Sequence, residues 1–262
     1  MTIIDPAQIG TALAAFLFVA IVAMLELGRR LGIRRGAREG DAVQESTSAL
    51  AGAVYGMLAL IIAFTFSGAS ARFDLRRQQV VEEANAIGTA YLRIDMAPPV
   101  AQPALRDGFR RYLDARISVY SKLPDLAASR AELERANQLQ GEIWALAVTA
   151  CRMPDSPPSL AVLLLPALNA MFDITTTRTM ATKIHPPVII FAMLVVLALV
   201  SAVLAGHDLA QGPSRRWLHT LGYAAILSVT VYVIIDIEFP RLGFVRIDAI
   251  DEVLVDLRAT MR

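Results

Sequence analysis

The chain has 262 residues, 55% of them hydrophobic, a formal net charge of +1 and a mean hydropathy of +0.50. So positive a hydropathy, gathered in long apolar runs, points to an integral membrane protein rather than a soluble domain. Near-neutral charge leaves no electrostatic footprint for nucleic acid, and the single Cys151 excludes an intrachain disulfide or a cysteine zinc site.

The first predicted span is Ile9–Leu27, opened by Asp5-Pro6 as cap and first-turn proline. MTIIDPAQIG has no basic segment before the apolar run, and the run ends on Glu26, Arg29 and Arg30, so the span is expected to be retained rather than cleaved. Glu26 is expected at the interface, paired with Arg29 or Arg30. Gly28–Ser48, with Arg29, Arg30, Arg34, Arg35 and Arg38, reads as a polar loop.

The second span is Ala49–Ala71. No proline or loop signal follows it until Pro98, so one helix is expected from Ala49 to Arg93, crossing the membrane and continuing into water. Within the extension, Val80, Ala84, Ile87 and Tyr91 form an apolar face. Gln78, Glu82, Asn85 and Thr89 form a polar one.

Prolines then divide the chain into three helices, at Gln102–Leu123, Leu126–Arg152 and Ser159–Ile184, the last with a kink expected at Pro166. Phe109, Leu113, Ile117 and Tyr120 give one core-facing stripe, and Leu133, Leu139, Ile143 and Leu146 another. Leu160–Met171 is apolar but short before Asp173, and it is read as lying at the membrane surface rather than as a fifth span. Spans three and four are Val188–Ala205 and Trp217–Ile237, with Trp217 as an interface anchor and Pro240 closing the last. Each span gives about 27–34 Å of helix, matching a hydrocarbon core. A tail helix from Ala249 to Met261, capped by Asp248, carries the stripe Ile250, Val253, Leu254 and Leu257, expected to dock on the soluble bundle or a neighbouring subunit.

The expected fold is therefore all-α: four transmembrane helices with a helical soluble domain inserted between the second and third. Residues 1–71 hold spans one and two with the basic loop, 72–187 the soluble domain, 188–240 spans three and four, and 241–262 the tail. Five Arg follow the first span and no Lys or Arg precedes it, which favours the 28–48 loop inside and the large segment outside. The scarcity of lysine (only Lys122 and Lys183) beside abundant Ala and Arg suggests a GC-rich bacterial genome, hence the bacterial inner membrane.

No nucleotide loop, zinc motif or nucleophile elbow is present, and His185, His207 and His219 are not at ligand spacing. Neither a catalytic role, nor a cofactor, nor a metal is expected. Gly52 and Gly56 form a GxxxG, which permits close helix packing within or between subunits. Thr65 and Ser67 either back-bond to the preceding turn or meet permeating ions. Arg72, Arg76, Glu82, Glu83 and Asn85 follow in axial order, and in a ring of subunits they would stack as rings of charge and amide that select ions by sign. Asp236, Glu238, Arg241 and Arg246 gather at the end of span four as a salt-bridged knot or a cation or proton site.

The blocks Phe64-Thr65-Phe66-Ser67, Arg72-Phe73-Asp74-Leu75-Arg76-Arg77 and Glu82 to Arg93, with Asn169 to Asp173, Arg178 and Asp236 to Arg241 followed by Gly243 and Arg246, resemble a bacterial membrane family with a bestrophin-like domain. That resemblance implies similarity to bestrophins, pentameric ion channels with four spans per subunit, whose second span lines the pore and whose helical part extends it into the cytosol. The cytosolic placement departs from the charge bias after span one. The acidic calcium-binding cluster of animal bestrophins is also missing, so calcium gating does not carry over. The leading expectation is a homo-oligomeric ion channel or passive pore, self-associating in the bilayer and passing small ions. The alternatives are a non-conducting scaffold or sensor, and a proton-coupled transporter using Asp236 and Glu238.

Overall fold

The computed structural model describes residues 6–36, 41–123, 125–210, 217–240, 244–245 and 248–262, and among these every regular element is helical. The helices are α1 (Pro6–Gly36), α2 (Asp41–Leu92), α3 (Gln102–Ser121), α4 (Leu126–Cys151), α5 (Pro158–Ala181), α6 (Val188–Leu209), α7 (Trp217–Glu238) and α8 (Asp248–Thr260). A 3₁₀ turn, Arg93–Met96, ends α2 ahead of Pro98-Pro99.

Local chemistry sets these boundaries. With no proline in 52 residues, α2 runs unbroken for about 78 Å. Asp125 caps α4, its Oδ1 accepting from the amides of Ala127 and Ala128 at 3.0 Å each. Pro158 and Pro187 stand at the entries of α5 and α6, where a missing N–H costs nothing. Helix α5 continues through Pro166.

Five helices are long and apolar enough to cross a membrane: Thr11–Arg34, Ala49–Met96, Pro158–Ala181, Val188–Leu209 and Trp217–Glu238. Side chains such as Phe16, Phe64, Val188, Ile189 and Leu218 lie mostly exposed on them, a surface suited to lipid. The protein is a multi-pass membrane protein.

The chain forms two compact units, Met1–Phe73 with His185–Val245, and Asp74–Ile184 with Arg246–Arg262. In the first, α1 packs on α6 and α7 around Leu17, Ile21, Leu25, Leu194, Ala198, Ala202, Val231 and Ile234. Two glycines set the α1–α6 crossing. A Cβ on Gly28 would stand 1.9 Å from the Val203 carbonyl oxygen, and one on Gly206 2.0 Å from that of Leu25. Helix α2 reaches this core through Leu58 and Ala69.

The second unit buries Phe109, Tyr112 and Leu113 of α3, Leu139 and Ile143 of α4, and Leu160, Leu164, Leu168 and Met171 of α5 in one core with Ile87 and Ile94. Helix α8 docks on α3 through Leu254, with Leu257 packed against the same core, whereas Val253 of the expected stripe is exposed. Arg258 adds an ion pair to Asp114 at 2.7 Å.

Three expectations need correction. Within the expected loop Gly28–Ser48, residues 28–36 and 41–48 are helix: Gly28 is needed where α1 crosses α6, Arg30 pairs one turn back with Glu26 at 3.0 Å, and α2 begins at Asp41. Leu146 is exposed, and the buried line on α4 runs instead through Ala136, Leu139, Ile143, Ala147 and Ala150, whose small side chains let neighbours approach. Finally, α5 joins the four expected spans as a fifth apolar helix of spanning length, its Leu-rich stripe buried in the second unit.

Candidate functional site

The candidate ion-path residues all lie on α2, and their burial divides them between two faces. Gly52, Gly56, Ala59, Ala63, Ser67, Ala71, Asp74, Gln78, Glu82, Asn85 and Thr89 follow one another at spacings of three and four, and every one is exposed. That is one helical face of small residues giving way to polar ones, with Leu60 and Val81 as the large apolar side chains exposed on it. A Cβ on Gly52 or Gly56 would meet nothing within 4 Å. Along the polar part, Gln78 donates to Glu82 at 2.7 Å.

Thr65, Arg72, Arg76 and Glu83 belong to the other side of the helix, and each is bonded within the chain. The Thr65 hydroxyl donates to the carbonyls of Ile61 (2.7 Å) and Ile62 (3.1 Å). Arg76 is buried and donates from Nε and Nη2 to the carbonyls of Ala181 and Ile184, both at 3.2 Å, where α5 runs out of helical donors.

Arg72 meets Glu238 in a charge-assisted pair, Nε donating to Oε2 at 2.8 Å and Nη2 to the same oxygen at 2.7 Å. Glu238 is fully buried, and His185 Nδ1 lies 3.0 Å from its Oε1 with the ring stacked 4.5 Å from Phe239. Asp236 is buried too. It accepts from the amides of Phe244 (3.1 Å) and Val245 (2.8 Å). Arg241 and Arg246, expected in this knot, lie outside the described residues, as do Asp5 and the side chain of Asp248.

Glu83 is the hub of the second unit. Its Oε1 accepts from Arg116 Nε at 2.6 Å and its Oε2 from Arg178 Nη1 at 2.5 Å. Arg178 reaches on to Asp251 at 2.6 Å and lies 3.9 Å over the Tyr120 ring. The Arg116 Nη2 donates to the Tyr120 hydroxyl at 3.0 Å. Two carboxylates and two guanidiniums thus neutralise one another while tying α2, α3, α5 and α8 together. Burial alone would raise the Glu83 carboxyl, but the two guanidiniums outweigh it and hold it below the usual carboxylate range.

Arg116, His185 and Asp251 escaped the reading of the sequence. A signal existed for Arg116: it falls seven residues after Phe109 and three after Leu113, on the apolar stripe of α3, where a guanidinium needs a buried carboxylate. The partner of Glu238 is 166 residues away in sequence, and no local pattern marks it. Asn169 and Asp173 are exposed on α5 and take no part in either centre.

A model of the bestrophin-like domain matches residues 13–250, which covers α2, the Arg72–Glu238 centre and all of the Glu83 centre but Asp251. The chain belongs to the bestrophin-like family. No curated protein and no solved structure matches it. In this bestrophin-like chain Arg72, Arg76 and Glu83 on one side of α2 bond to other segments of the chain, and the small and polar face is exposed.

Proposed function

We propose that this bestrophin-like protein is a homo-oligomeric ion channel or passive pore of the bacterial inner membrane, without catalytic activity, and that the exposed stripe of α2 faces the shared axis. The single observation that carries the reading is that stripe. Lipid contact favours large apolar side chains, and a lone soluble helix gains nothing from a file of Gly and Ala continuing into Gln, Glu, Asn and Thr. Around an axis the small residues allow close approach, and the polar ones become stacked rings that ions meet in order. In this arrangement four spans (α1, α2, α6 and α7) cross the bilayer and 72–187 forms a helical soluble domain, with α5 kept in that domain by its buried stripe. Asp236 and Glu238 are occupied in structural bonds, which weighs against a transporter built on them.

The test uses the only cysteine. In a Cys151→Ser background, Ser67→Cys is placed on the stripe and Phe66→Cys, exposed about 100° around the helix from it, off the stripe. Reconstituted liposomes should show ion flux that a bulky thiol reagent blocks at position 67 and leaves unchanged at position 66. A single subunit in detergent, with no flux of any ion tested, would overturn the reading in favour of a scaffold.

A further inference from the structure

A cavity of about 350 Å³ opens in the first unit between residues 19–29 of α1, the end of α6 and the start of α7. Val19, Val22, Leu209 and Trp217 give it mostly apolar walls, with Glu26 and Arg29 at one end. The distance along α1 from Val19 to Arg29 is about 15 Å, half the thickness of a hydrocarbon core of about 30 Å. The lining of α1 thus extends over about one leaflet, and Arg29 and Trp217 lie where a headgroup begins.

The charges at this end are unequal. Glu26 is engaged by Arg30 at 3.0 Å, whereas Arg29 forms no hydrogen bond or ion pair with any described residue. A guanidinium at the interface, beside an apolar slot of acyl-chain depth, is complementary to a phosphodiester that carries a fatty chain. We propose that the cavity holds one membrane phospholipid, with an acyl chain between α1 and α7 and its phosphate on Arg29. The lipid would wedge the end of α6 and the start of α7 against the middle of α1. The proposal does not depend on whether the protein conducts.

The chain has two tryptophans, Trp144 and Trp217, so Trp144→Phe leaves Trp217 as the only indole reporter. The full chain in detergent is titrated with phosphatidylglycerol brominated on its acyl chain, which quenches an indole on contact. Saturable quenching at one lipid per chain is expected. Arg29→Gln should raise the apparent Kd about tenfold, the scale of one charge-assisted hydrogen bond, and Arg29→Lys should recover part of it. Ala23→Phe, which fills an exposed wall of the cavity, should remove the saturable component while the thermal midpoint holds. Three outcomes would each overturn the proposal: quenching that rises linearly without saturation, saturation untouched by Arg29→Gln and Ala23→Phe together, or a native mass spectrum of a dimer whose subunits close the cavity without phospholipid.

Discussion

Glu82 and Glu83 are neighbours in sequence and opposites in structure. Glu83 is fully buried between two guanidiniums, and Glu82 stands exposed beside Gln78. The same division runs along α2: Arg72, Arg76 and Glu83 on one side spend their charge inside the chain, and the file from Gly52 to Thr89 on the other does not. The lesson is that axial order along a helix says little about role until the faces are separated. Charge alone makes the two glutamates look like equal members of an ion path.

The largest effect is expected where that division is broken from the buried side. Glu83→Ala leaves Arg116 without its carboxylate and Arg178 with Asp251 alone, and removing one partner of a buried ion pair costs about 3–5 kcal/mol. For a domain of this size that lowers the thermal midpoint on the order of 10 °C. Glu82→Ala, one residue away, should stay within about 0.5 kcal/mol. Equal shifts in a thermal scan of the two detergent-purified variants would dissolve the comparison.

A smaller effect follows from acid. The Glu83 carboxyl is held below its ordinary value of about 4.3. The stability it contributes is full above the unfolded-state value and is lost as pH falls through the lower folded one. Thermal midpoints of the wild type should therefore fall as pH drops below about 4, and those of Glu83→Gln should fall less over the same range. Parallel curves would mean that Glu83 is not the group being titrated.

Much of the fold was legible in the sequence. Proline punctuation and apolar periodicity place α3 to α8 within a few residues, because both act locally and strongly. The missing proline gave the end of α2 in the same way, whereas its start lies at Asp41 and not at the expected Ala49. The end of α1 was misplaced because Gly28 resembles a breaker until its close approach to Val203 is known. The site was legible only in part. Helical spacing already put Gln78, Glu82, Asn85 and Thr89 on one polar face, and all four are exposed. The partners that claim Arg72, Arg76 and Glu83 come from α3, α5 and α7 and the residues that follow α5, and pairing across 33 to 166 residues leaves no local trace.

The smallest effect on stability should accompany the clearest effect on function. Glu82→Gln keeps an oxygen to accept from Gln78, so the local hydrogen bond at 2.7 Å survives and stability should change by less than about 0.5 kcal/mol. If the exposed stripe faces a common axis, the same substitution removes one negative charge per subunit from a ring. Cation preference should then fall toward neutrality, and reversal potentials measured across a planar bilayer under a salt gradient would report it. Ser67→Ala, higher on the stripe and uncharged, should leave the sign of selectivity alone. Should Glu82→Gln leave the reversal potential unmoved in a conducting oligomer, the path does not follow this face, and the polar file of α2 would instead be the surface through which the protein meets a partner.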